Sequence, residues 1–214
     1  MNYYHMTSLD RLKSIGKIGL LPRNEENSKL INDTKKKVFF SEGFEGTIAL
    51  FVDFELVYDQ IKLGKTDILD KNLEKKVKDS ESLSEYLTEG VYLQFLGDHI
   101  KNERNFENGC TSQVILPKQL NVCVLRRKDS NSIIFSRFEI IKYMMAKTNP
   151  EQIKYYGVKY DGSPDFEVAT IRIQNKIKKY YYKYDKDIEK YRDDMYVLEY
   201  VPLNEFLNTN EIIL

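Results

Sequence analysis

The sequence predicts an α+β fold, with helices packed on a β-sheet core and a mainly helical C-terminal part. Short apolar runs closed by turn residues, such as "KVFFSEG" and "GVYLQF", are typical of buried strands. Between them lie stretches with apolar residues three or four apart, the spacing of a helix face. Helical spacing predominates after about residue 130. We therefore predict a core over 1–130 and a mainly helical extension over 131–214 that packs on it.

Length and composition fit an ordinary globular protein. The 214 residues are enough for one core or one core with an appendage. The net charge of +0 produces no global field that would favour nucleic acid or an anionic membrane. No stretch approaches the roughly 20 apolar residues that span a bilayer, and the first residues lack the pattern of a signal peptide. We expect a cytoplasmic protein with no membrane partner.

The two cysteines, Cys110 and Cys123, are expected to be free thiols. Without a secretion signal, the chain is predicted to stay in a reducing compartment where disulfides are rare. Two cysteines and two widely separated histidines do not have the spacing of a zinc site, so we predict no metal.

The N-terminal stretch predicts a strand followed at once by a helix. Tyr3–Met6 has the character of a short strand. Thr7 then has the residue type of a helix N-cap, with Asp10 at the third helical position. Pro22 prevents the helix from continuing.

The middle of the chain alternates predicted strands and helices. The run "KVFFSEG" predicts a buried strand, and residues 46–64 are apolar and long enough for a helix, although "IALFVDF" also fits a strand. Residues 65–89 are polar with sparse leucines and predict an exposed helical insertion. The runs "GVYLQF" and "QLNVCVLRR" predict two further strands.

In the C-terminal part, Phe138, Ile141 and Met145 mark a helix that stops before Asn149-Pro150. Residues 166–196 predict one long helix, and the final "YVLEYVPLNEFL" predicts a strand and a short helix. The long helix carries an apolar stripe that we expect to pack on the domain. The stripe consists of Ile177, Tyr181, Tyr184, Ile188, Tyr191 and Met195.

The order of these features resembles the ADP-ribosyltransferase fold. A strand bearing a histidine is followed by a helix ending in "GL", and "VFFS" then precedes another helix. The His-x-Thr opening is similar to that of DNA-targeting ADP-ribosyltransferase toxins and RNA 2′-phosphotransferases. The later "NFENGCTSQVILPKQLNVCVL" resembles the end of such domains, where an acidic residue precedes an apolar strand. The resemblance covers residues 3–127, and the matching residues are His5, Thr7, Gly19, Leu20 and Ser41.

This resemblance implies a split β-sheet core that binds NAD as a substrate. Breaking the nicotinamide–ribose bond develops positive charge on the ribose, as in glycoside hydrolysis. A fixed carboxylate stabilises that charge, a histidine bonds a ribose hydroxyl, and an aromatic ring stacks on nicotinamide. The implied catalytic residues are His5 and Glu107. The implied NAD-binding residues are His5, Thr7, Phe40, Ser41 and Tyr92.

The chain departs from the family pattern in two respects. Members that begin with His often carry Tyr as the second signature residue, whereas "VFFSEG" supplies Phe39, Phe40 and Ser41. Ser41 is typical of the class that begins with Arg. The arginines of the phosphotransferases have no match, which counts against phosphotransfer.

Each candidate residue also has a purely structural interpretation. His5 is equally expected as a half-buried core histidine, Thr7 as a helix cap and Ser41 as the end of a strand. Glu42 is expected to cap the next helix.

Glu107 competes with Glu103 and Glu45 for the catalytic role. We favour Glu107 because the turn at Asn108-Gly109 would hold it before the following strand. We expect His5, Ser41 and Glu107 to converge on one concave site.

The leading functional hypothesis is an NAD-binding ADP-ribosyltransferase-like protein that transfers ADP-ribose to an acceptor. The residues do not identify that acceptor. The alternative is a catalytically inactive binding or interaction protein on the same fold, docking through its C-terminal helix. A third hypothesis is an unrelated fold.

Overall fold

The computed structural model combines helices with an antiparallel sheet, which confirms the α+β character predicted from the sequence. The residues it describes are 1–22, 37–64, 75, 77–79, 90–103, 109–130, 132–149, 151, 157–158, 164–165, 174–175, 178 and 188–209.

The strands and helices alternate along the chain. The strands are β1 (Asn2–Ser8), β2 (Val38–Glu42), β3 (Gly90–Leu96), β4 (Gly109–Thr111), β5 (Asn121–Arg127), β6 (Ile133–Ile134), β7 (Gly157–Val158), β8 (Pro164–Asp165) and β9 (Tyr196–Pro202). The helices are α1 (Leu12–Ile18), α2 (Gly43–Lys62), α3 (Arg137–Lys147) and α4 (Leu203–Thr209), with 3-10 turns at Leu9–Arg11, Gly97–His99 and Pro117–Gln119.

The main sheet has the order β4-β2-β1-β3-β5, and every neighbouring pair is antiparallel. On one side β5 pairs with β3 and then with β6, and on the other side it pairs with β9. The sheet therefore takes strands from both sides of the boundary at residue 130. The division into 1–130 and 131–214 stays a prediction. β7 and β8 form a separate two-stranded ladder.

Side chains cover the main sheet on both faces. On one face Tyr4 and Tyr92 pack with α2 and α3, and we call this the α2/α3 face. On the other face Tyr3, Phe40 and Phe95 pack with α1 and α4, and we call this the α1/α4 face. Successive residues of a strand point to opposite faces, so neighbours along one strand belong to different cores.

The predicted helices over 46–64 and around Phe138–Met145 are confirmed as α2 and α3. In α3 the residues Ile140, Ile141, Met144 and Met145 are buried on one side, the spacing of an amphipathic helix. The predicted strand and short helix at the end of the chain are confirmed as β9 and α4.

Of the two predicted helix caps, Thr7 is wrong, whereas Glu42 does occupy the N-cap position of α2. Thr7 lies within β1, opposite Val91, because β1 pairs with β3 along its whole length as far as Ser8. Glu42 precedes α2 but makes no side-chain cap bond. Its carboxylate instead accepts a hydrogen bond from Asn102 Nδ2 at 2.6 Å.

Most of the predicted long helix over 166–196 lies outside the described residues, as do Tyr181 and Tyr184. Within the described part, Ile188 and Tyr191 are buried, as the stripe predicts. The helical residues end at Glu189 and turns follow, so the prediction of helix as far as residue 196 is wrong. Pairing of Tyr196 with Arg127 begins β9 there.

Cys110 and Cys123 are free thiols, as predicted, and both are buried. No helix within the described part of the chain is long and apolar enough to cross a membrane.

Candidate functional site

The ladder between β1 and β2 is interrupted. β1 pairs with β3 through all seven of its residues, but it pairs with β2 only at Tyr3–Glu42 and Tyr4–Ser41. Over Val38–Phe40, β2 pairs with β4 on its other side. We call the place where the β1–β2 pairing stops the split. It begins at His5, the first residue of β1 beyond the paired positions.

His5 bridges the split with its side chain. Its Nδ1 lies 2.8 Å from the backbone oxygen of Phe39 in β2. A carbonyl only accepts, so Nδ1 carries the hydrogen in this contact. In the neutral ring Nε2 is then an acceptor, and in the protonated ring it is a donor. The half-buried imidazole is thus held in one orientation by β2, at a point beyond the end of the β1–β2 ladder.

The sheet separates the predicted NAD-binding residues into two groups. Alternation along β1 and β2 places His5, Thr7 and Phe40 on the α1/α4 face with Tyr3. Ser41 pairs with Tyr4 and so lies on the α2/α3 face. Tyr92 is on that face too, because it packs there with Tyr4. The structure therefore does not bring His5 and Ser41 together on one side of the sheet.

Ser41 joins β2 to the start of α2. Its Oγ lies 3.3 Å from the Tyr4 carbonyl oxygen and donates its hydrogen to Thr47 Oγ1 at 2.8 Å. Thr47 donates in turn to the Gly43 carbonyl at 2.7 Å. Gly43 has a φ of 63°, where a side chain would be strained. The buried Ser41 hydroxyl thus stabilises the sharp turn from strand to helix.

The two aromatic candidates are core residues. Phe40 is 2% exposed, with its ring centroid 4.4 Å from that of Tyr3 and 5.3 Å from that of Phe95. Tyr92 is 3% exposed, and burial raises the pKa of its hydroxyl. Because both rings are covered by neighbouring side chains, neither presents a free face on which a ligand ring can stack.

The two residues of the "GL" match turn the chain back toward the sheet. Gly19 ends α1 with a φ of 82°, and a Cβ there would lie 2.3 Å from the Ile115 carbonyl oxygen. Leu20 is buried and bridges to Ile115, donating to that oxygen at 2.9 Å. Only glycine fits this close approach, so packing against Ile115 accounts for the glycine of the "GL" match without any ligand.

Among the acidic candidates, Glu103 has its carboxylate in contact with both Ser112 and Lys37. Ser112 Oγ donates to Glu103 Oε1 at 2.5 Å, and Lys37 Nζ lies 4.0 Å from the other carboxylate oxygen. The hydrogen bonds from Ser112 lower the pKa of Glu103. The Lys37 side chain is only 7% exposed, so this carboxylate compensates a largely buried cation.

The other acidic candidates differ in what the structure describes. Glu107 lies outside the described residues, and Glu45 is exposed in the first turn of α2. Glu42 pairs with Tyr3, so it shares the α1/α4 face with His5. Asn102 fixes the Glu42 carboxylate and also accepts from the Cys110 amide at 3.1 Å.

The buried cation Arg137 was missed by the sequence reasoning. Arg137, the first residue of α3, is 8% exposed. Its guanidinium packs on the backbone of Gly90, where a Cβ would lie 1.8 Å from Arg137 Nε. Gly90 pairs with Ser8 at the end of β1. A glycine at the start of the "GVYLQF" strand was the only sequence signal for this contact.

No family model, curated protein or solved structure matches the chain.

Proposed function

We propose that the protein is an ADP-ribosyltransferase-like enzyme that binds NAD and transfers ADP-ribose to an acceptor. In this proposal the interrupted antiparallel sheet is the split β-sheet core of such a domain. The observation that carries it is His5 at the split, with its imidazole fixed by the Phe39 carbonyl at 2.8 Å.

The split supports a nucleotide site because the strands on either side of it are not joined by a full ladder. A ligand that enters there does not break backbone hydrogen bonds between β1 and β2 beyond Tyr4–Ser41. The half-buried ring of His5 is oriented before the ligand arrives, which lowers the entropic cost of binding. A ribose hydroxyl, which both donates and accepts, suits Nε2 in either protonation state.

In the proposed reaction the bond between nicotinamide N1 and ribose C1′ breaks, and its electron pair leaves with neutral nicotinamide. A bond forms between C1′ and a nucleophilic atom of the acceptor, which loses its proton. A carboxylate stabilises the cationic ribose in the transition state and accepts that proton. We assign this role to Glu107. The Glu103 carboxylate already serves Ser112 and Lys37.

In this proposal the remaining candidates are buried residues that position the strands around the site and do not contact NAD. Phe40 packs against Tyr3, and Ser41 fixes the turn into α2 through Thr47. Thr7 and Tyr92 are buried in the adjacent pair of strands. They position the strands that flank the split, and His5 makes the direct contact with NAD.

The test compares three proteins by calorimetric titration with NAD: wild type, His5→Asn and His5→Ala. Asparagine keeps a side-chain N–H near the position of Nδ1 and so keeps a donor for the Phe39 carbonyl, but it has no equivalent of Nε2. We expect both variants to bind NAD about three- to tenfold more weakly, because each loses one hydrogen bond to a positioned group. Wild type that binds no NAD, or His5→Asn that binds it equally well, would contradict the proposal.

Transfer is tested separately with labelled NAD and a cell lysate. We expect label on a macromolecule with wild type, and a loss of roughly a hundred- to thousand-fold in rate with Glu107→Gln. The matched control is Glu103→Gln, which changes the carboxylate that Ser112 and Lys37 contact. NAD binding without any labelling would favour the catalytically inactive binding protein.

A further inference from the structure

Within the described part of the chain, the outer edge of β9, a strand of seven residues, is unpaired. β9 pairs with β5 along one side, over every residue from Tyr196 to Pro202. No other described strand pairs with it. An unpaired edge of this length is a template for another strand.

The hydrogen bonds to β5 determine which residues of β9 face this edge. Leu203 N donates to the Leu120 carbonyl, and Lys128 N donates to the Met195 carbonyl. Odd-numbered residues of this segment therefore point their backbone groups at β5, because the direction alternates along a strand. The amides and carbonyls of Tyr196, Leu198 and Tyr200 point away from it.

Within the described part of the chain, no hydrogen bond reaches these outward backbone groups. The strand has no lysine and no bulge, and the one charged side chain that it carries is that of Glu199. Only Pro202, which has no N–H, closes it at one end. Three consecutive outward positions are thus open to a partner strand.

We propose that this edge pairs with β9 of a second copy of the chain, in antiparallel orientation about a twofold axis at Leu198. Leu198 then faces Leu198 of the second copy, and Tyr196 faces Tyr200 of the second copy. These pairs use the outward amides and carbonyls, which form six hydrogen bonds in this register. The two sheets become one continuous sheet across the dimer.

The side chains of β9 are self-complementary in this register. Tyr196 and Tyr200 lie on the same face, so each forms an aromatic cross-strand pair with its counterpart. On the opposite face, exposed Val197 meets Glu199 of the second copy, and the two Glu199 carboxylates are not directly opposed. The net charge of +0 means that two copies do not repel each other.

Centring the pair on Glu199 would bring its two carboxylates face to face, which is unfavourable. The register about Leu198 avoids this contact. In this register residue 197 lies directly opposite Glu199 of the second copy. Charged substitutions at residue 197 therefore test the register.

The experiment is sedimentation equilibrium of the full chain from about 1 µM to about 1 mM, the range in which a contact of modest size is detected. Wild type is expected to dimerise. Val197→Glu should weaken the dimer roughly three- to tenfold and Val197→Lys should strengthen it by a similar factor, since each dimer contains two such pairs. Residue 197 is opposite Arg126 within the monomer, so the glutamate variant retains a favourable neighbour and the fold is not at risk.

Leu198→Pro is the second variant. It removes an outward N–H that makes no bond within the monomer, and edge strands tolerate proline at such positions. The dimer should weaken by at least about tenfold, because two central hydrogen bonds are lost. Melting curves show that each variant is folded. A wild type that stays monomeric throughout, or a dimer in which both substitutions at residue 197 have the same effect, would overturn the proposal.

Discussion

β1–β2 and β5–β9 are both neighbouring antiparallel strands of one sheet, but they are held together differently. β5 and β9 pair through seven residues each, whereas β1 and β2 pair through two. Beyond those two pairs, side chains take over: His5 contacts the Phe39 carbonyl, and Phe40 packs on Tyr3. The candidate His5 thus lies where the β1–β2 ladder stops, whereas the β5–β9 ladder is complete along both strands.

The largest effect should come from removing the packing that holds β2 at the split. Phe40→Ala deletes a ring that contacts Tyr3 and Phe95, and we expect a loss of about 3–5 kcal/mol in the free energy of unfolding. Urea denaturation measures this loss. Phe39→Ala is the control in the same strand, because Phe39 is less buried and should cost clearly less. Equal losses would mean that the α1/α4 core does not hold the split.

A smaller, pH-dependent change in the free energy of unfolding is expected from Glu139, which lies near the complete β5–β9 ladder. Glu139 in α3 accepts hydrogen bonds from Lys142, Tyr191 and Lys190, which ties α3 to the segment before β9. Burial acts to raise the pKa of Glu139, but these hydrogen bonds lower it overall. Glu139→Gln should therefore cost about 2 kcal/mol of unfolding free energy at neutral pH.

The sign of the pH effect follows from the direction of that shift. A carboxyl with a lowered folded-state pKa stabilises the protein above its unfolded pKa of about 4.3 and loses that contribution as the pH falls through the folded value. The difference between wild type and Glu139→Gln in urea denaturation should then shrink on acidification below about pH 4.3. A difference that stays constant down to about pH 2 would show that Glu139 acts through packing alone.

The smallest effect should come from the exposed ion pair across β5 and β9. Arg126 Nε lies 2.8 Å from Glu199 Oε2, with both side chains 37% exposed. Such pairs contribute about 0–1 kcal/mol, so Glu199→Gln should change the unfolding free energy by less than about 1 kcal/mol. A larger loss would mean that the side-chain pair, and not the seven-residue ladder itself, holds β5 and β9 together.

The elements with strong local patterns could be predicted from the sequence. Apolar runs predicted β2, β3 and β5, an apolar stretch long enough for a helix predicted α2, and helical spacing predicted α3. Thr7 was misassigned because its local pattern fits a helix cap, whereas pairing with Val91 keeps it in β1. The helix predicted to reach residue 196 ends earlier because Tyr196 pairs with Arg127, far away in the sequence.

The geometry of the site could be predicted only in part. The sequence placed His5 in the first strand and Ser41 in the second, but not on which faces of the sheet they lie. That depends on register, and a slip of one residue moves every side chain of a strand to the other face. The Tyr4–Ser41 pair fixes the register, and it separates His5 from Ser41.

The most direct test of the split as a nucleotide site is a nuclear magnetic resonance titration of the two histidine rings with NAD. The chain has only His5 and His99, and His5→Asn assigns the signals. We expect the His5 ring signals to shift with NAD, most strongly at Nε2, while the Nδ1 proton stays bound to the Phe39 carbonyl. A His5 ring that does not respond to saturating NAD would contradict the account.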